Sequence, residues 1–426
     1  MSVGRTLAEW TPRPPERAVT RLLLDGLGCV MAAVREGAAG PAITVARAFG
    51  GVPEATVLPG PLRLPAPAAA FANGALAHAL DFDDTHAGGL VHPTAVVLPV
   101  AFSVGEETGA SGAEIVAAAG AGIETICRLA AAVPHGFHAR GLHATSVCGV
   151  FGAALTAARL YRLDADRTVH ALGIAGSRAA GLLEFLRSGG TVKQVHTGFA
   201  AQDGVLSARL AEAGLTGPER ILDGEYGLYR ALLGETPAAT AILDGLGERW
   251  ELEQVSVKPY PACRLLHAAL DAAVLVRPSV DPAAVERIEV TLHPDAVPIV
   301  CGEPPVTPYD AKFSLAWSVA ALLLDGTLDY SVIDRPEVRA LAGRIVAVPV
   351  GSPGPAADQP ARITVRQTGG AVRQRTVPRA SGAPGDPRVE RIIRTKASLG
   401  PVADLVLDLA SLPSLSPVLT ALEVHQ

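Results

Sequence analysis

Up to about Val255 the apolar positions recur at helical rather than strand spacing. Val19, Leu22, Leu23 and Leu27 fall three or four residues apart, the interval that lines one face of an α-helix. Pro14 and Pro15 suit an opening turn, where no amide donor is needed. They predict a buried helix over 16–35, in which Gly26 and Gly28 allow a neighbour to come close. The Ala-rich run Thr145 to Leu160 predicts a second helix. Asp164, an N-capping residue type, introduces a third over 165–176. Phe199 to Ala213 predicts another, stopped by Gly214 and the turn Thr216-Gly217-Pro218. These runs are apolar around much of their circumference, which implies a many-helix interior rather than a thin surface layer.

Beyond Val255 the period changes. Val285 to His293 alternates, with Ile288, Val290 and Leu292 on one side and Arg287, Glu289 and Thr291 on the other, as a half-buried strand does. Arg344 to Val348 is a second strand candidate. Ile363, Val365 and Gln367, then Gly369-Gly370, then Val372, Gln374 and Thr376 predict a hairpin with a two-residue turn. The expectation is an antiparallel sheet with one apolar helix, Ala311 to Leu324, ended by Asp325-Gly326. The chain is therefore expected to be mainly α, with a large all-helical domain over 1–255 and a smaller α+β domain over 256–390. The Leu-rich segment Pro401 to Leu422, within 391–426, is expected to pack back on the helical domain. Residues 351–360 are expected to form a mobile loop.

Composition narrows the function. Apolar residues make up 49% of the 426 residues but aromatic ones only 4%, so the core must be Ala, Val and Leu, with helices in close approach. A net charge of -6 offers no basic field for nucleic acid. Cys29, Cys127, Cys148, Cys263 and Cys301 show no CxxC spacing, so neither a zinc site nor a disulfide framework is suggested, and a reducing cytoplasm fits. The N-terminus lacks the apolar core of a secretory signal. Runs such as Ala95 to Val104 are too short for a membrane span.

The densest polar cluster runs from His78 through Asp81, Asp83, Asp84 and Thr85 to His86, with His92-Pro93-Thr94 shortly after. On a helix, His78 and Asp81 would share a face, with Thr85 close by. Crowded carboxylates and imidazoles can act as acid and base near neutral pH; the same residues also serve as caps at a helix end. A metal is the competing use, but an aspartate-rich metal motif would place a further Asp three positions after Asp84, where Ala87 stands. No second cluster of matching type follows, and no metal or other cofactor is assigned. His143 stands at a predicted helix start, where the macrodipole lowers an imidazole pKa and attracts anions; a simple cap is the alternative. Lys193 and His196 precede the next helix, and exposure is the ordinary state of a lysine. Lys258, Cys263, Arg264 and His267 lie on a Pro-stiffened segment at the predicted domain junction, a favoured place for pockets. Cys263 has no designated base and also suits a small apolar filler.

Taken in order, six segments resemble the MmgE/PrpD family, which includes 2-methylcitrate dehydratase, cis-aconitate decarboxylase and iminodisuccinate epimerase. They are HALDFDDTH with a following HPT at 78–94, GLHATSVCGVFGAAL at 141–155, KQVHTGFAAQDGV at 193–205, LTGPERIL at 215–222, KPYPACRLLHAALDA at 258–272 and AKFSLAWSVAALLLDG at 311–326. The resemblance implies a homodimer whose subunit has an all-helical domain and an α+β lid, and a small anionic substrate. It implies Asp81, Thr85, His92, His143, Lys193 and Lys258 as catalytic residues, with His78, His86, His196, Arg264, His267 and Trp317 around the substrate. Trp317 stands where relatives commonly carry Tyr, and Gln194 where an Arg often follows the Lys. The implied chemistry is a metal-independent lyase reaction, proton abstraction beside a carboxylate whose charge cations neutralise. Dehydration comes first, with epimerisation or decarboxylation as alternatives; a binding protein of the same shape that has lost catalysis is a further reading.

Overall fold

Small side chains let the helices of this protein meet almost backbone to backbone. The computed structural model describes residues 1–351 and 353–424 and divides into two units. The first comprises Met1–Phe185, Val192–Val257 and Glu390–Gln426, the second Leu186–Thr191 and Lys258–Val389. The first is built on α1 (Glu16–Arg35), α2 (Ala66–His78), α3 (Thr94–Thr108), α4 (Gly112–Ala131), α5 (Ala144–Leu160), α6 (Ala165–Gly176) and α7 (Lys193–Glu212). The Asp164 side chain caps α6 by accepting the Arg167 amide at 2.8 Å, as its residue type predicts. A two-residue ladder joins β1 (Thr85–His86) to β2 (Val255–Ser256) in antiparallel register.

Helix α7 packs against both α2 and α5. A Cβ on Gly74 of α2 would lie 2.8 Å from the Cα of Gly198 in α7, and one on Gly198 would lie 2.5 Å from the Phe71 carbonyl oxygen. Only glycine allows this crossing, and the Thr197 hydroxyl fastens it by donating to the Gly74 carbonyl at 2.7 Å. The end of α2 is thereby laid beside the start of α7. That start is Lys193 rather than the expected Phe199, so Lys193 and His196 are helical residues, not loop residues. Polar side chains on the first turns had hidden the helix from a reading based on apolar period.

The second unit has α8 (His267–Val276) and α9 (Leu315–Asp325) with a four-stranded sheet of β3 (Val285–Leu292), β4 (Ile345–Pro349), β5 (Ala361–Gln367) and β6 (Val372–Val377), in the order β4-β3-β5-β6. The sheet is mixed, not purely antiparallel: β4 runs parallel to β3, while β5 is antiparallel to β3 and β6 to β5. Helix α9 lies in the connection between β3 and β4, and a connection of that length lets the two strands run parallel. The β5–β6 turn is longer than two residues, with Gly369 and Gly370 at φ 80° and 82° and the Gln367 amide donating to the Ala371 carbonyl at 2.9 Å. Helix α9 starts at Leu315, capped by Ser314, because the chain first makes a separate turn at Pro308–Ala311.

After the second unit the chain returns to the first as α10 (Val389–Ala397), of which residues from Glu390 belong to that unit, and α11 (Val402–Leu407), which packs on α1. Of the loop expected over 351–360, Ser352 lies outside the described residues, as do His425 and Gln426 at the chain end. Among the described residues no helix is long and apolar enough to cross a membrane.

Gly198→Ala is expected to lower unfolding free energy by about 1–3 kcal/mol, because the added methyl must displace backbone rather than a flexible side chain. Urea denaturation of the variant checks this; wild-type stability would contradict the crossing described.

Candidate active site

Helix α2 ends at His78, and Asp81 then takes a left-handed conformation (φ 53°) that Asp tolerates better than most residues. His78 and Asp81 therefore do not share a helical face as the i, i+3 spacing suggests. The chain turns sharply, and residues 79–93 run as an irregular, largely buried loop to the start of α3. Pairing of β1 with β2 pins the middle of this loop. Alternation along β1 sends Thr85 and His86 to opposite sides.

Seven of the expected residues meet in the first unit. The Lys193 ammonium at the start of α7 pairs with Asp81 at 2.5 Å. The His78 Nδ1 lies 2.6 Å from the Asp83 carboxylate; with the proton on Nδ1, the lone pair of Nε2, which has no hydrogen-bond partner among the described residues, is left available. His143, the residue that opens α5, stacks on His78 at 5.5 Å between ring centroids and reaches His196 through a 3.0 Å contact between the two Nδ1 atoms. One of those nitrogens must hold a proton and the other a lone pair. The His92 Nδ1 donates to the Asp84 carbonyl at 2.6 Å and lies 3.2 Å from the Thr85 hydroxyl; its ring is 5.2 Å from that of His78. All of these residues are at most 8% exposed, so their charges are decided by one another rather than by water.

Burial pushes the His143 imidazole well below its ordinary range, helped by His78, Lys193, His196 and His92. The His196 imidazole falls to about 4, again through burial first and then His78 and Lys193. His78 is also lowered, by burial, although Asp83 opposes the shift. Near pH 7 His78, His143 and His196 are thus neutral imidazoles beside the Lys193–Asp81 pair, able to take up or pass a proton. Asp84 behaves in the opposite sense: burial and the nearby Asp25 push its carboxyl up to about 8, although it accepts a hydrogen bond from the Thr94 hydroxyl.

Of the other expected residues, His86 belongs to the first unit and four to the second. His86 is turned toward Glu251, 3.1 Å from its Nε2, and its Nδ1 accepts the Gly89 amide. Lys258, Arg264, His267 and Trp317 belong to the second unit, and all four are buried. There the Arg264 guanidinium donates to the Ser381 carbonyl at 2.7 Å, and burial lowers its pKa to about 10. His267 donates through Nε2 to the Ala262 carbonyl at 3.0 Å, and Trp317 stacks on Tyr330 at 5.2 Å. Asp83, the partner of His78, was in the acidic run but not among the expected site residues, since helical spacing pointed to Asp81 instead. Among the described residues no group of three or more His, Cys, Asp or Glu side chains is arranged to hold a metal ion.

Comparison with known proteins agrees with the resemblance that the motifs carry. The family model described as the MmgE/PrpD N-terminal domain matches residues 8–241, and that of the MmgE/PrpD C-terminal domain residues 260–398. A cis-aconitate decarboxylase of Aspergillus terreus is 27% identical over 450 residues, covering 94% of this chain and 90% of its own length. The cis-aconitate decarboxylase of Homo sapiens is 30% identical over 308 residues, 67% of this chain and 62% of its own, and that of Mus musculus 32% identical over 309 residues, 66% and 61%.

The raised Asp84 carboxyl makes a signed prediction. Between about pH 4, where a free carboxyl titrates, and about 8 the folded protein holds a proton here that the unfolded chain has lost, so this group costs stability as pH rises. Asp84→Asn removes that slope, and the variant should gain on wild type by up to about 1.4 kcal/mol per pH unit across the window. Urea unfolding of both proteins at several pH values measures it; a constant or falling difference would contradict the assignment.

Proposed function

Since the chain belongs to the MmgE/PrpD family, we propose that it is a lyase acting on a small di- or tricarboxylate, with loss of carbon dioxide from a cis-aconitate-like substrate as its leading reaction. The observation that carries this reading is the grouping of Lys193 with His78, His92, His143 and His196 in one buried cluster. The family relatives, which are cis-aconitate decarboxylases, support the choice of reaction. When a carboxylate leaves as carbon dioxide, the electrons of the broken C–C bond pass into the adjacent unsaturated acid, and negative charge collects on its remaining carboxylate. An ammonium in a water-poor site stabilises that charge far better than water does; Lys193 fills this role. One proton must then be delivered to carbon, so the reaction consumes a proton for each carbon dioxide released.

His143 is the proposed carrier of that proton, with His196 relaying it across the 3.0 Å contact. Before substrate binds, both imidazoles are neutral near pH 7. A bound polycarboxylate places negative charge beside them, which favours their protonated form. Substrate binding therefore charges the acid that the reaction needs. The dehydration reading keeps one specific support: the His78–Asp83 pair presents a lone pair on Nε2, fit to take a proton from the carbon beside a carboxylate and return it to the leaving hydroxide, so that water departs and His78 ends neutral. No metal enters either scheme.

Incubating the protein with citrate, 2-methylcitrate, cis-aconitate and iminodisuccinate in heavy water, followed by NMR and carbon dioxide capture, tests the proposal. Release of carbon dioxide from cis-aconitate is expected, with no loss of rate on adding a chelator. His143→Ala should lower kcat by about a hundredfold to ten-thousandfold. Net water loss from citrate or 2-methylcitrate would favour dehydration, exchange without conversion an epimerase, and no turnover of any of the four would refute the lyase reading. Calorimetry of tricarboxylate binding in buffers of different ionisation enthalpy should reveal proton uptake at pH 7; binding with no proton exchange would exclude substrate-induced charging of His143.

A further inference from the structure

The loop that carries Asp81 and Asp83 is gripped from behind by a buried ion pair that has no place in the chemistry above. Lys396 of α10 reaches inward with its side chain only 1% exposed, and its ammonium lies 2.7 Å from a carboxylate oxygen of Asp25 in α1, which is 0% exposed. The same ammonium donates to the Phe82 carbonyl at 2.8 Å and sits 4.3 Å from the centre of the Phe82 ring. Phe82 is the residue between the two site carboxylates. Two glycines one and three residues after Asp25 make this reach possible. A Cβ on Gly28 would stand 2.9 Å from the Ala397 Cα, so α10 rests directly on the backbone of α1. A Cβ on Gly26 would stand 2.9 Å from the Thr94 methyl, and Thr94 is the residue that donates to Asp84.

We propose that Lys396, seated on Asp25, is a positioning residue for the active site: by holding the Phe82 carbonyl it fixes the left-handed turn that aims Asp81 at Lys193 and Asp83 at His78. A buried ion pair is a poor device for stability, since apolar residues of similar volume commonly replace one without loss. What an apolar pair cannot do is hold a carbonyl. Without that donor the Phe82 peptide must turn toward another partner, and the carboxylates on either side turn with it. The proposal rests on the reading of the His78–Lys193 cluster as the active site.

The test is the double variant Asp25→Leu/Lys396→Met, read in two ways. One reading is the kcat and KM for cis-aconitate; the other is the low-field NMR resonance of the proton in the 2.6 Å His78–Asp83 contact, which needs no turnover. The variant is expected to fold, to lose about tenfold to a hundredfold in kcat with a smaller change in KM, and to show that resonance displaced. Wild-type kcat, or a fall in kcat with the resonance unmoved, would overturn the proposal. If the wild-type protein turns over no substrate, the lyase reading fails and the resonance alone decides: displaced supports the positioning role, unmoved overturns it. If the double variant does not fold, Asp25→Asn is measured the same two ways, and unchanged values in that variant overturn the idea.

Discussion

Charges that an apolar helical body has taken out of water must find their partners inside it, and in this protein that requirement organises the loop between α2 and α3. Asp81 is answered by Lys193, Asp83 by His78, and Asp25 by Lys396. Each partner comes from a different helix, so the loop cannot take its shape until those helices are in place. An unanswered carboxylate at this depth would cost several kcal/mol. The irregular backbone of residues 79–93 is thus held by a small number of strong, specific contacts rather than by a repeating ladder.

The helices can bring those partners so close because they carry so little between their backbones. The Gly74–Gly198 crossing sets α7 against α2, and Gly28 sets α10 against α1. Larger residues at these points would hold Lys193 and Lys396 away from the loop. The low aromatic content of the chain is therefore more than a statement about the core: it is the condition under which side chains from α2, α5 and α7 can share one small polar volume.

Within that volume the His143 and His196 imidazoles are kept neutral by burial first, then by their charged neighbours, the Lys193 ammonium among them. A site of this kind is inert toward protons until an anion enters, and then becomes acidic at the place where the anion lies. The property suits reactions in which charge develops beside a carboxylate, and it comes from the grouping of the residues rather than from any one of them.

Spacing alone was enough for some of the long helices. Residues 16–35 and 165–176 were delimited by apolar period and capping chemistry, and the alternation over Val285–Leu292 gave the central strand, because such signals are local and repeat every few residues. The polar run from His78 to His92 likewise stood out as chemistry in an apolar half. Local signals failed where the chain leaves its period. His78 looked paired with Asp81 across a helical turn, yet the helix stops at His78 and the left-handed Asp81 hands the contact to Asp83. Spacing alone left Lys193 as an ordinarily exposed lysine before a helix, and only the resemblance placed it in the site; Lys396 drew no attention although it falls three residues after Ile393, on the buried side of α10. The sequence by itself determined the most strongly periodic helices and the central strand, and which residue types are available for chemistry. Only the tertiary structure decided which charge meets which, because a buried ion is assigned its partner by the crossing of distant helices, and nothing in a local period encodes that crossing.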